Sequence, residues 1–167
     1  MIKEQTIILD KKQIDQKIKR IAYQIYESNV AEKEVVIAGI KNNGFLFAKK
    51  LKVAVEKISP IKVTLCEVNI DKKSPIDSVK TSLESSEYKN KSLLLVDDVL
   101  HSGTTLIYGV KHFLDVPLKQ FKTAVLVDRN HKKFPIKADF KGISLSTSIN
   151  ENVAVIFEKG KDRAILE

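Results

Sequence analysis

The sequence predicts an α/β fold: a central, mainly parallel sheet flanked by helices, in one domain spanning residues 1–167. Three observations lead there. Segments with helical periodicity alternate with short apolar runs along the chain, the order that produces βα units. The runs Val35-Val36-Ile37-Ala38 and Leu93-Leu94-Leu95-Val96 are continuous rather than alternating, as in strands buried on both faces. No internal repeat, low-complexity tract or Pro/Gly linker divides the chain, and its length suffices for one sizeable core.

Each element has its own signal. Ile14, Ile18, Ile21, Ala22 and Ile25 recur at helical spacing, so residues 10–28 read as an amphipathic helix. Asp10 caps its first turn and Gln13 is placed to reach back, a capping box. Val35 to Ala38 is a buried strand broken by Gly39, and residues 45–57 form a second helix after Gly44. Residues 61–68 alternate apolar and polar, a strand. From 69 to 90, lysines, serines and Pro75 dominate, the composition of a mobile surface loop. Leu93 to Val96 is a strand, 104–113 a helix and 121–127 the next strand. Residues 153–157 and 164–166 close the chain as short strands, with Gly160 turning between them.

Composition narrows the function. A hydrophobic share of 43% with 30% charged residues is that of an ordinary soluble globular chain. The single cysteine, Cys66, rules out an intrachain disulfide, so a reducing cytoplasm is the simplest compartment. Met1 is followed by Ile2-Lys3-Glu4-Gln5, with no apolar run suited to a signal peptide or membrane span. The net charge of +8 invites a nucleic-acid reading. Lysines, however, are spread along the chain, and the only arginines are Arg20, Arg129 and Arg163. Phosphate-rich surfaces favour the arginine fork, so the charge reads as a general preference for anionic ligands. His112 and His131 stand far from any cluster with metal-ligand spacing, and no resident metal is expected.

Ligands of parallel sheets bind at the carboxyl ends of the strands, which directs attention to the 39–44, 97–105 and 128–140 loops. The middle one carries the most chemistry. Asp97 and Asp98 end the most apolar strand, and paired negative charge there is unfavourable unless something accepts it. Shortly after, Ser102-Gly103-Thr104-Thr105 opens a helix. Gly103 allows close backbone approach, and helix-start amides with three hydroxyls form an anion cradle. A sugar phosphate would satisfy both halves. The plain alternative is that the aspartates and Ser102 merely cap turns. A phosphoacceptor site with clustered aspartates would leave the Ser-Gly-Thr-Thr cradle unexplained. Gly39-Ile40-Lys41-Asn42-Asn43-Gly44 has the spacing of a nucleotide-triphosphate loop, but Phe45-Leu46 stands where Lys-Ser/Thr is needed.

The 96–105 segment resembles the phosphoribosyl-pyrophosphate signature of type I phosphoribosyltransferases. Ile8-Leu9-Asp10, Arg20-Ile21-Ala22, Gly39-Ile40-Lys41, residues 124–131, residues 134–140 and Ser146-Thr147-Ser148 extend the resemblance over nearly the whole chain. They are similar, in order, to the subfamily of pyrimidine operon attenuation regulators that double as uracil phosphoribosyltransferases. The resemblance implies the type I phosphoribosyltransferase fold with a flexible hood loop, and a homodimer. It implies transfer of ribose 5-phosphate from phosphoribosyl pyrophosphate to a nucleobase, uracil first, with Mg2+ arriving on the activated sugar. Asp97 and Asp98 would hold the ribose hydroxyls, and Ser102, Gly103, Thr104 and Thr105 the 5'-phosphate. Lys41, Asn42, Asn43 and Gly44 would face the pyrophosphate. Asp128, Arg129, Phe140 and Lys141 would frame the base, Phe140 either stacking on it or serving as a core aromatic. His101 would act as a general acid/base near neutral pH, or stand as an exposed loop residue.

The chain also departs from the family's pattern. Asn42-Asn43 replaces Thr-Arg, His101-Ser102-Gly103-Thr104-Thr105 replaces Tyr-Thr-Gly-Arg-Thr, and Asn69-Ile70-Asp71-Lys72-Lys73 stands where the hood carries Tyr-Arg-Asp-Asp. Two phosphate-facing arginines are thus missing, and lysine does not reproduce their bidentate contacts. The subfamily's RNA face includes the first helix, where Lys19 and Arg20 keep positive charge while Tyr23 replaces a histidine. Ile143 likewise replaces a lysine. An RNA-binding attenuation regulator and a ribose-phosphate sensor without turnover are the alternative functions.

Overall fold

A computed structural model describes residues 5–71, 73–76, 78–148 and 150–167. The leader reading at Ile2, Lys3 and Glu4, and Lys72 of the expected hood segment, lie outside the described residues. The main sheet has six strands in the order β4-β3-β2-β5-β6-β7. Strands β2 (Glu34–Ile40), β3 (Lys62–Ile70), β5 (Ser92–Leu100), β6 (Gln120–Arg129) and β7 (Phe140–Leu145) are parallel. Strand β4 (Val79–Thr81) adds antiparallel to β3 at one edge. Helices α1 (Lys11–Ser28) and α2 (Asn43–Ile58) share one apolar core with the sheet, and α4 (Thr104–Phe113) belongs to a second core. Leu94 and Val96 of β5 point into the first core while Leu93 and Leu95 point into the second. A strand feeding two cores has no solvent face, which is why its sequence is apolar without alternation. Among the described residues no helix is long and apolar enough to cross a membrane.

Helix α1 begins as the sequence predicts. Asp10 accepts from the Gln13 backbone at 2.8 Å, and the Gln13 side chain accepts from the Asp10 backbone at 2.9 Å. Its apolar stripe, Ile14 to Ile25, is buried against α2 and the sheet. A second, antiparallel sheet of three strands, in the order β1-β9-β8, joins β1 (Thr6–Leu9), β8 (Val153–Ile156) and β9 (Arg163–Leu166).

Four expectations need correction. Gly39 does not break β2, which continues to Ile40. A Cβ at Gly39 would lie 2.6 Å from the Phe45 Cα and 2.7 Å from the Gly44 carbonyl oxygen, so glycine here permits α2 to press on the strand. The 69–90 stretch is not one loop. Strand β3 runs into it as far as Ile70, β4 pairs there, and α3 (Ser85–Tyr88) buries Tyr88 edge-on against Phe113 at 5.0 Å. Strand β5 does not stop at Asp97 but continues to Leu100, paired with β6 as far as Asp128. The 128–140 segment also loses its expected ends: β6 includes Arg129, and β7 starts at Phe140.

Candidate functional site

Strand β5 delivers the two acids. Asp97 is buried at 9% exposure and Asp98 is half-buried. The Asp98 backbone N–H donates to Asp97 Oδ1 at 2.8 Å, which fixes one carboxylate against the next peptide. The first turn of α2 packs on both. A Cβ at Gly44 would fall 3.0 Å from Asp97 Oδ1, and Asn43 Nδ2 donates to Asp98 Oδ2 at 3.1 Å. The same Asn43 nitrogen donates to the Val155 carbonyl of β8 at 2.7 Å. Sheet, helix and the small terminal sheet therefore meet at the paired acids.

The anion cradle forms at the mouth of α4. Gly103 precedes its first residue with φ of 87° and has no side chain to cap the helix, while Ser102 Oγ accepts from the Thr104 backbone N–H at 3.3 Å. A residue with a side chain is disfavoured in that conformation, and a Cβ there would also meet Ile136 Cγ2 at 2.4 Å. The turn is held from beneath, because the Ser102 carbonyl accepts from the backbone N–H groups of Lys133 and Phe134 at 2.8 and 3.2 Å. The Ser102 and Thr104 hydroxyls are 2.9 Å apart. The amides that open a helix, with adjacent hydroxyls, make an anion-binding site.

Between the acids and this helix mouth lies a cleft of about 390 Å³, lined by Asp97, Asp98, His101, the Ser102–Thr105 turn and Arg129. Sequence reasoning missed Leu106 of α4 and, on the opposite wall, Asn152 and Val153 at the start of β8. The latter two come with the small sheet, whose pairing is non-local, and no local pattern marks them. Arg129, at 3% exposure, donates from Nε to Thr147 Oγ1 at 2.9 Å and from Nη2 to the Glu151 carbonyl at 2.6 Å. It pins the segment between β7 and β8 to the cleft wall. His101 is exposed on the rim. Desolvation, then the positive charges of Arg129 and Lys133, hold its imidazole below the usual pKa, so the ring is neutral at pH 7.

The expected base-framing residues are placed differently. Phe140 is paired with Ala124, while Asp128 and Arg129 are paired with Ser144 and Leu145. At about 3.3 Å per residue, Phe140 sits roughly 13 Å down the strand from that end. Its ring packs against the core shared by α1 and α2, so the core-aromatic alternative is the one the packing favours. Asp128 is buried beside the cleft rather than in its lining. Lys132 lies 3.4 Å from its Oδ1 and Lys141 3.5 Å from its Oδ2. Lys141 therefore faces Asp128. Lys41 is exposed and Asn42 adopts a positive φ of 73° at the start of α2; neither lines the cleft, whereas Asn43 and Gly44 touch its acids.

A larger groove of about 790 Å³ runs between α1 and α2, with Lys19, Tyr23, Lys49, Val53 and Lys57 on its walls. It contains neither paired acids nor a helix mouth, so the chemistry lies in the smaller cleft. Among the described residues no group of three metal-ligating side chains stands together. The oxygen donors suited to a hard cation are the Asp97 and Asp98 carboxylates.

Comparisons with known proteins agree with this geometry. The family model described as phosphoribosyl transferase domain matches residues 4–157. A bifunctional protein PyrR of Macrococcus caseolyticus is 32% identical, covering 96% of each chain. Its counterpart from Bacillus subtilis is 34% identical, covering 91% of this chain and 90% of that one. Among solved structures, a hypoxanthine phosphoribosyltransferase of Trypanosoma cruzi superposes with a TM-score of 0.75 at 19% identity, over 90% of this chain and 85% of that one. A hypoxanthine-guanine phosphoribosyltransferase of Bacillus anthracis gives 0.71 at 22% identity, over 84% and 82%. The two structures share the fold, the type I phosphoribosyltransferase fold. With a family model spanning most of its length and relatives above 30% identity end to end, this chain belongs to the phosphoribosyltransferase family.

Proposed function

We propose that this chain transfers ribose 5-phosphate from phosphoribosyl pyrophosphate to a nucleobase, uracil first, and releases pyrophosphate. The observation that carries the reading is the cleft itself, with paired acids on one side and the helix mouth opened by Gly103 on the other. Asp97 and Asp98 accept hydrogen bonds from the ribose hydroxyls. The amides and hydroxyls of Ser102, Gly103, Thr104 and Thr105 hold the 5'-phosphate, with both ends of the sugar fixed before reaction. Lys41 and the backbone of Asn42 and Gly44 face the pyrophosphate.

The bond from the anomeric carbon to the pyrophosphate oxygen breaks, and its electron pair leaves with pyrophosphate. A new bond forms to a ring nitrogen of the base. The proton on that nitrogen passes to the neutral imidazole of His101. The Asp97 and Asp98 carboxylates would hold a Mg2+ arriving with the sugar through oxygen donors, and the ion would supply charge neutralisation at the leaving group. Uracil is favoured by the resemblance to the pyrimidine subfamily; of the residues expected to frame the base, Arg129 lines the cleft. A homodimer follows from the same resemblance, and sedimentation tests it.

Magnesium-dependent pyrophosphate release with uracil and a panel of other nucleobases tests the proposal. Asp98→Asn removes a charged acceptor, a loss of about 1.5–3 kcal/mol, or roughly 10- to 150-fold in kcat/KM. Absence of release with every base rejects the transferase. Calorimetric binding of the sugar without turnover selects the ribose-phosphate sensor.

The lysine-walled groove between α1 and α2 favours one second reading, an RNA-binding attenuation regulator. Affinity for a pyrimidine-gene leader RNA would then fall with salt and with Lys19→Ala. Arg20→Ala is a poorer probe, because Arg20 donates to the carbonyls of Lys141 and Gly142 at 3.0 and 2.7 Å and so supports β7. Binding equal to that of a scrambled RNA excludes the regulator.

A further inference from the structure

Asn43 stands at the start of α2, where the phosphate-facing loop ends. Its position suggests a pyrophosphate ligand, yet its hydrogen bonds point elsewhere. A side-chain amide nitrogen carries two hydrogens. Here the one nitrogen donates to Asp98 Oδ2 at 3.1 Å and to the Val155 carbonyl at 2.7 Å. The donor capacity of its side chain is therefore used within the protein. What remains is the amide oxygen, an acceptor, which offers nothing to a polyanion.

We propose that Asn43 is a positioning residue for Asp98 and not a pyrophosphate ligand. It rests on the ribose-phosphate reading of the cleft. The amide holds one carboxylate oxygen of Asp98 and leaves the other for a ribose hydroxyl. Through Val155 it also anchors the acid to β8, whose Val153, with the preceding Asn152, borders the same cleft. Asp98 thus receives support from a helix start and from the terminal sheet at once. Its neighbour Asp97 is located separately, through the Asp98 backbone N–H at 2.8 Å and the close approach of Gly44. The two acids are oriented by different devices, so disturbing Asn43 should affect one of them.

Two ligands separate a positioning role from a direct one. Ribose 5-phosphate and phosphoribosyl pyrophosphate share the sugar and the 5'-phosphate, and only the second carries pyrophosphate. Calorimetric titration of each, with Mg2+, into the full-length chain and its Asn43→Ala variant gives the comparison. Losing a hydrogen bond that orients a charged acceptor is expected to weaken both ligands by a similar factor, about tenfold or more. Weakening of phosphoribosyl pyrophosphate alone would make Asn43 a pyrophosphate ligand and overturn the assignment. So would unchanged affinity for both. Asn43→Asp keeps the size of the side chain and places an acceptor against Asp98; it is expected to weaken both ligands further, and it keeps the test readable if the alanine variant melts early. Unmodified protein that binds neither ligand would instead overturn the ribose-phosphate reading, and this assignment with it.

Discussion

At the rim of the cleft, a histidine stands between solvent and two cations. His101 has its pKa lowered by desolvation and by Arg129 and Lys133, so its neutral form persists to more acidic pH than a free imidazole allows. If it accepts the base proton, kcat/KM falls as pH drops through that lowered pKa and is flat above it. His101→Gln is expected to remove this acid limb; a limb that survives the substitution belongs to another group. Gly103 gives a second prediction at this scale. Its φ of 87° and the nearby Ile136 methyl leave no place for a side chain. Gly103→Ala is expected to destabilise the fold by about 1–3 kcal/mol and to weaken ribose 5-phosphate binding, read by denaturant unfolding and calorimetry together. The acids and the Ser-Gly-Thr-Thr turn were legible because paired carboxylates and a helix-opening glycine are unusual after an apolar strand. Phe140 was not legible, since an aromatic reads the same in sequence whether it stacks on a ligand or fills a core.

Elements were legible in proportion to their periodicity. Helix α1 has a capping box and an unbroken apolar stripe, and its limits followed from those two features. Strands β2 and β5 were visible as apolar runs, but both extend further than the runs, because parallel pairing holds residues that are not themselves apolar. Strand β4 and helix α3 escaped detection: each is short, polar and defined by pairing or by one buried ring. Strand β7 was hidden by its short, glycine-interrupted sequence, and Gly142 is needed there because a Cβ would strike the Leu126 carbonyl oxygen at 2.4 Å. That strand depends on α1 through Arg20, which donates to two successive carbonyls. Arg20→Ala is expected to lower stability by about 1–3 kcal/mol, seen as a lower urea midpoint with an unchanged slope. An unchanged midpoint would show that α1 and β7 are held together without it.

For the molecule as a whole, the parallel sheet places the 97–105 turn and the end of β6 at the carboxyl end of its strands, and the chain around β8 supplies a further wall. That second sheet brings β1 beside β9, residues far apart in sequence, so its part in the cleft could not be read locally. Positive charge is abundant, but the cleft itself contains one arginine, Arg129, committed to Thr147 and the Glu151 carbonyl. On the proposed function, the 5'-phosphate would then be held by amides and hydroxyls rather than by an arginine fork. The most direct test is a crystal structure with phosphoribosyl pyrophosphate and Mg2+ bound. It should show the 5'-phosphate against the amides that open α4, and the ribose hydroxyls within hydrogen-bond distance of Asp97 and Asp98. A sugar bound in the reverse orientation, or outside this cleft, would contradict the account.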